Sequence, residues 1–255
     1  MSATDPKRVA VVIPALNEER AIRGVVESVL AICPNVIVVD DGSTDATRER
    51  IADLPVTLIR HETSLGKGQG LRDGFRKART LGFDAVITMD GDGQHLAADI
   101  PRMLEAARRY PEHLVIGARI RHRENQPSAR RHANDFADWG ISWGCGIPVA
   151  DTQSGQRYYP AAALELADIP ADDFVFETAV LIAAARDKRV GVVSVPIESR
   201  YHGEFRSSHF RPIRDVSRIT WYTMKRIAAY GHAIESYRRS HATPPIVYDP
   251  EAKDR

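Results

Sequence analysis

Short continuous apolar runs recur through the first half of the chain, at residues 9–13, 36–39, 56–59, 85–88 and 114–118. Runs of this length, rich in valine and isoleucine, suit strands buried on both faces of a parallel sheet. Between them the apolar residues fall at helical spacing. Ile22, Val25, Val26, Val29 and Leu30 make one stripe, Leu71, Phe75 and Ala78 a second, and Met103, Leu104 and Ala107 a third. Asn17, with Glu18 and Glu19 behind it, reads as the N-cap of the first helix. Arg72, Arg76 and Arg79 belong on the outer face of the second, and Pro101 in the first turn of the third. The order βαβαβαβαβ with short links predicts an α/β domain, a mostly parallel sheet covered by helices.

The pattern then loosens. Residues 119–134 hold five arginines, two histidines and Pro127, and read as a basic surface loop or an anion-binding lid. A helix over 136–146, another opening at Asp172, and a last strand over 190–197 close the domain. One long helix from Ile213 to about Arg239 carries Val216, Ile219, Trp221, Tyr222, Met224 and Ile227 on a broad apolar face, flanked by Arg214, Arg218, Lys225 and Arg226. That face suits packing on the domain or a membrane surface. The expected layout is a flexible N-terminus (1–8), one domain (9–212), an amphipathic helix (213–240) and a disordered tail (241–255).

Composition narrows the function by exclusion. A net charge of +1, from 35 Lys and Arg against 34 Asp and Glu, argues against a nucleic-acid partner. Cys33 and Cys145 offer neither metal spacing nor a disulfide framework, so a reducing cytoplasm is the expected compartment. No run approaches the roughly 18–20 apolar residues of a membrane span, and the first residues lack the apolar region of a signal peptide. A soluble protein, or one peripheral on the inner face of the membrane, is expected.

Candidate chemistry collects at strand ends. The run at 85–88 leads into Asp90-Gly91-Asp92-Gly93-Gln94-His95, two acids spaced to reach one side of an extended backbone. Such a pair suits a hard divalent cation, Mg²⁺ or Mn²⁺, bridging protein to diphosphate oxygens, or is merely an acidic turn. The second run ends in Asp40-Asp41-Gly42-Ser43-Thr44-Asp45. Asp40 there can accept from a base or ribose, while Ser43 and Asp45 read as turn-formers. Pro14-Ala15-Leu16-Asn17-Glu18 contains no glycine, which excludes a Rossmann fingerprint or P-loop after the first strand. Gly66-Lys67-Gly68 opens the second helix and reads as an anion contact or a tight loop. The polar segment Asp151-Thr152-Gln153-Ser154-Gly155-Gln156-Arg157 reads as the floor of an acceptor site. Glu177, beside Phe174 and Phe176, is a capping residue or a general base.

With those five motifs in that order, the chain resembles family 2 of the inverting glycosyltransferases, which have the GT-A fold, over roughly residues 9–231. The resemblance is to the branch around dolichol-phosphate mannose synthase. It implies a metal-dependent enzyme moving a hexose from a UDP- or GDP-linked sugar to a lipid-phosphate, lipid or hydroxyl acceptor, with inversion. It also implies nucleotide-sugar contacts at Pro14, Leu16, Glu18, Asp40, Asp41, Lys67, Asp90 and Gln94, and metal ligands Asp90, Asp92 and Gln94. Asp92, Glu177 and Arg119 become the catalytic candidates. Arg131, Asp151, Gln153, Ser154, Arg157, Arg200, Arg206 and His209 become the acceptor-side candidates. The chain departs from the related synthases in having Leu16 where they often carry Tyr, and Arg206-Ser207-Ser208-His209 where they often carry Gly-Glu-Ser-Lys.

A phosphate acceptor would call on arginines, and a hydroxyl acceptor on a base such as Glu177. Two rival classes stand beside this reading. A nucleotidyltransferase would want a glycine- and arginine-rich loop where Pro14-Ala15-Leu16-Asn17-Glu18 stands. A non-catalytic nucleotide-binding module would have no need of Asp40, Asp90, Asp92 and Gln94 together.

Overall fold

The computed structural model describes residues 4–121, 128–198 and 212–254. Its seven strands are β1 (Val9–Ala15), β2 (Val36–Asp40), β3 (Thr57–Arg60), β4 (Ala85–Thr88), β5 (Leu114–Ala118), β6 (Arg157–Pro160) and β7 (Val192–Pro196), in the spatial order β3-β2-β1-β4-β6-β5-β7. All pair in parallel except β6, which runs antiparallel to both β4 and β5. The mostly parallel sheet is thus as expected, and β6 is an addition to it.

Alternation along β1 divides the core. Ala10 and Val12 face one side with Leu71, Phe75 and Phe176, while Val9, Val11 and Ile13 face the other with Val26, Val29 and Met103. The second side is covered by α1 (Ile22–Leu30) and α3 (Ile100–Arg109). The first is covered by α2 (Lys67–Thr80), α4 (Ser128–Cys145), α5 (Ala161–Leu164) and α6 (Val175–Asp187). Outside these pack α7 (Pro212–Tyr230) and α8 (Ala233–His241). The chain runs outward from β1 to β3 and then returns to place β4 on the other flank of β1. That reversal opens a crevice beyond the carboxyl ends of β1 and β4, where open α/β sheets take their ligands.

Several expectations change. Asn17 is not an N-cap, since α1 begins only at Ile22. Asn17 is instead left-handed (φ 57), and its Oδ1 accepts the Thr44 N–H at 2.8 Å, tying two loops together. Arg72 is not on an outer face. It is buried, and it donates to the carbonyls of Ala167 (3.1 Å), Ile169 (2.9 Å) and Ala171 (2.8 Å). Residues 128–134, read as loop, are the first turns of α4. The single tail helix is broken between α7 and α8, where Gly231 (φ 67) and His232 (φ 49) are both left-handed. Of the N-terminal stretch read as flexible, Pro6–Arg8 forms a short turn held by an Arg8–Asp84 ion pair.

The C-terminal stretch read as disordered pairs with the free edge of β7. Ser194 N donates to Ile246 O and Tyr248 N to Ser194 O, both at 2.9 Å. Asp249 holds Arg121 at 2.9 Å, and Glu251 holds Arg121 at 2.8 Å and Arg102 at 3.0 Å. An edge strand left open is a template for aggregation, and this segment covers it. Deleting residues 246–255 is expected to lower the melting temperature by roughly 5 °C or more. An unchanged melt would show that the strap contributes nothing.

The buried side of α7 presents Ile219, Thr223 and Ile227 to the domain. Facing away from that side Trp221 is 75% exposed, with Met224 47% exposed at the flank, while Val216, on the face of Ile219 and Thr223 but nearer the helix start, is 43% exposed. Among the described residues no helix is long and apolar enough to cross a membrane.

Candidate active site

The crevice is an open cleft of about 500 Å³. Its walls include Pro14, Leu16 and Glu18 from the loop after β1, Asp41 after β2, Lys67 at the start of α2, and Asp90 and Asp92 after β4. The first loop is tied to residues 43–47 by hydrogen bonds from Asn17 N to Ser43 Oγ (2.9 Å) and Glu18 N to Thr47 Oγ1 (2.7 Å). Asp45 accepts the backbone N–H groups of Glu19 and Thr47, so Ser43 and Asp45 shape the loops. Asp40 lies behind the cleft wall, buried, with Oδ1 on the Ser43 N–H and Oδ2 without a hydrogen-bond partner. Asp41 accepts from Ser64 Oγ, Leu65 N and Gly66 N at 2.7, 2.8 and 2.9 Å, and sits 2.7 Å from His61 Nδ1. Burial would raise its carboxyl, but the His61 contact and the loop N–H groups hold it below the ordinary range.

Three elements meet at Lys67. Its Nζ is 2.8 Å from Asp90 Oδ1 and 3.2 Å from Glu177 Oε2 on α6. Gly155 makes the approach possible, because a Cβ there would stand 2.7 Å from Asp90 Oδ2 and 3.2 Å from Lys67 Nζ. The two acids of the motif then part in charge. Burial pushes Asp90 up, but the Lys67 ammonium, with His95 behind it, holds it down at about 2. Asp92 is pushed up to about 6 by burial and by the negative charge of Asp90. Gln94 supports Asp92 through its backbone N–H at 2.9 Å. His95, buried, has its Nδ1 3.7 Å from Asp90 Oδ2 and is pushed down in pKa by burial.

The acceptor-side candidates lie outside this group. Arg119 and Asp151 form a bidentate pair, at 2.8 Å from Nε and 2.7 Å from Nη2, and the Arg119 N–H adds a third bond. Asp138 accepts the N–H groups of Asp151 (2.9 Å) and Thr152 (2.7 Å). Arg157 is 2% exposed and donates to the carbonyls of Thr152, Ser154 and Glu177, so it braces the floor from behind and offers nothing to a ligand directly. Ser154 is fully buried, Gln153 is half-buried with its amide on Thr152 Oγ1, and Arg131 is half-buried on α4. Arg200, Arg206 and His209 lie outside the described residues.

Four residues that sequence reasoning passed over also line the cleft: Asp173, Phe174, Arg214 and Asp215. A signal for Asp173 was present in Gly66 and Gly68. A Cβ on Gly68 would meet the Asp173 backbone at 2.7 Å, so this glycine admits residue 173 against the start of α2. Nothing in the local pattern marks Arg214 and Asp215, which reach the cleft only because α7 packs where it does.

Alternating carboxylate and ammonium groups at the mouth of a helix suit a diphosphate carried with a cation. Asp90 and Asp92 fit Mg²⁺ or Mn²⁺, which take one or two protein carboxylates and complete their shell with phosphate oxygens and water. Among the described residues no three His, Cys, Asp or Glu side chains converge as a ready-made cage.

The family model for glycosyl transferase family 2 matches residues 10–161. The UDP-N-acetylglucosamine–dolichyl-phosphate N-acetylglucosaminyltransferase of Methanococcus voltae is 30% identical over 218 residues, 76% of this chain and 86% of its own. The undecaprenyl-phosphate mannosyltransferase of Micrococcus luteus is 30% identical over 223 residues, covering 79% and 88%. Among solved structures, glucosyl-3-phosphoglycerate synthase from Mycobacterium tuberculosis, in complex with Mn²⁺, UDP and phosphoglyceric acid, superposes with a TM-score of 0.63. It is 24% identical and covers 89% of this chain and 79% of that one, a likeness of fold.

Proposed function

Since the chain belongs to glycosyl transferase family 2, we propose that it moves a hexose from a UDP- or GDP-linked sugar to a polyprenyl-phosphate acceptor, inverting the anomeric carbon. The observation that carries this reading is the Asp90–Lys67–Glu177 cluster beside Asp92, at the crevice between the β1 and β4 ends. Asp90 and Asp92, with Gln94 beside them, would hold the divalent ion, which would neutralise charge on the departing diphosphate. Pro14, Leu16 and Glu18 would enclose the nucleoside, with Asp40 and Asp41 fixing the loops around it. Lys67 would meet the diphosphate.

A phosphate acceptor is already anionic and needs no base. Glu177, the candidate base for a hydroxyl acceptor, is engaged by Lys67 at 3.2 Å, which favours the phosphate. The polyprenyl-phosphate acceptors named for the relatives agree with that choice. Arg119, Arg131 and Arg214 are the described arginines best placed on the acceptor side. The test is transfer from UDP- and GDP-sugars with Mn²⁺ to polyprenyl phosphate, phosphoglycerate or an aryl alcohol. Product with the lipid phosphate is expected. No transfer from any donor would end the proposal, and product only with the alcohol would reinstate a base.

A lipid acceptor calls for a lipid-facing surface, and the outer side of α7 supplies a candidate. Trp221 and Met224 stand exposed there beside Arg214 and Lys225. Arg214 also lines the cleft, so one helix would link a headgroup layer to the donor site. Trp221→Ser combined with Met224→Ser is expected to reduce co-sedimentation with anionic vesicles several-fold, leaving transfer to a short detergent-soluble acceptor unchanged. Equal sedimentation would remove this surface from the account.

A further inference from the structure

We infer that Lys67 is a resident counter-cation for Asp90, so that the divalent ion enters only together with a diphosphate that draws the ammonium away. The inference rests on the glycosyltransferase reading above and concerns how its site loads.

The ammonium is placed by the backbone. Lys67 is the first residue of α2, held between Gly66 in a left-handed conformation (φ 91) and Gly68, against which residue 173 packs. Its side chain is only 19% exposed and ends between two carboxylates, 2.8 Å from Asp90 and 3.2 Å from Glu177. Gly155 keeps the far side of Asp90 clear for this pairing. The cluster therefore has one cation shared between two anions, with Asp92 as a third carboxylate nearby.

A dication arriving alone must share Asp90 with an ammonium at contact distance, and like charges that close repel strongly in a partly dehydrated cleft. It would also find too few protein oxygens to complete its shell, since no three acidic or histidine side chains converge among the described residues. A nucleoside diphosphate changes both terms. Its oxygens complete the shell, and its negative charge gives Lys67 a new partner. Metal and nucleotide affinities then rise together, each by the factor it confers on the other.

Mn²⁺ binding, followed by the electron paramagnetic resonance signal of the free ion, tests this without turnover. Wild type is expected to bind Mn²⁺ weakly alone and at least about tenfold more tightly with UDP or GDP, whichever it takes. Lys67→Met should raise the affinity for Mn²⁺ alone by about tenfold and shrink the gain from that nucleotide. Lys67→Arg, which keeps the charge, should behave like wild type. If Lys67→Met binds Mn²⁺ alone no better than wild type does, Lys67 is not the counter-cation, though the glycosyltransferase reading stands. If Lys67→Met fails to fold, wild type still decides, because equal Mn²⁺ affinity with and without either UDP or GDP overturns the coupling. Absence of any UDP or GDP binding, with or without Mn²⁺, would overturn the inference together with the reading beneath it.

Discussion

Replacing Asp92 with asparagine is expected to cost sugar transfer about a thousandfold while raising the melting temperature of the ligand-free protein. The first effect follows from the proposed metal role, because an amide in place of the carboxylate would weaken the grip on a cation at the leaving diphosphate. The second follows from the carboxyl group's being pushed up to about 6 from an ordinary 3.8, by burial and by Asp90. As pH rises from about 4 through 6, the unfolded chain releases this proton before the folded one does. Folding stability is lost across that window, and the loss is complete above it. Two units correspond to nearly 3 kcal/mol, and partial solvent contact brings the figure to about 1–2 kcal/mol. Asparagine removes the penalty. The variant should therefore melt a few degrees higher than wild type at pH 7.5 and no higher at pH 4. Asp99, also pushed up to about 6 by burial, titrates in the same window, so the comparison must be variant against wild type. Retained transfer, or melts that coincide at pH 7.5, would contradict the assignment.

Gly155→Ala should lower kcat/KM about a hundredfold with little change in stability. The added methyl would fall 2.7 Å from Asp90 Oδ2, nearer than real contacts allow, and 3.2 Å from Lys67 Nζ. Both atoms are ends of flexible side chains, so the backbone need not yield. What yields is the geometry of the carboxylate. Asp90 must rotate away, and its ion pair and its place beside Asp92 go with it. Gly155 O also receives the Thr88 hydroxyl at 2.7 Å, which keeps the substituted segment seated against β4. Transfer at the wild-type rate by a folded Gly155→Ala protein would show that the Asp90 position does not matter.

The parallel frame and the gathering of Pro14, Glu18, Asp41, Lys67, Asp90 and Asp92 at one edge of the sheet were legible because they are local. Apolar runs with acids at their ends mark strands and their carboxyl termini, and β1, β2, β4 and β5 fall where those runs stand. What escaped was set by distant partners. Arg157 hides the start of β6, since an arginine leading a four-residue strand looks like loop until three carbonyls are brought around its guanidinium. Arg72 misleads for the same reason, its partners lying 95 to 99 residues away. The segment 246–248 looks unstructured by composition and gains order only from the open edge of β7. Arg214 and Asp215 enter the cleft through helix packing, which no spacing in the sequence encodes.

The reversed direction of β6 has a consequence for how this enzyme family can diversify. The cleft loops proposed to enclose the nucleoside follow β1 and β2, and the Asp90–Asp92 pair follows β4, all encoded before residue 100. Because β6 points the other way, the segment before it arrives at that same edge of the sheet, and it comes from the later half of the chain. In the proposed reading the donor-side loops and the later stretch meet at Gly155, which lies against Asp90 and Lys67, and again at the Lys67–Glu177 pair. A recombinant joined upstream of Leu114 would therefore have to keep both Gly155 and Glu177 in the incoming stretch for Lys67 and Asp90 to retain their partners.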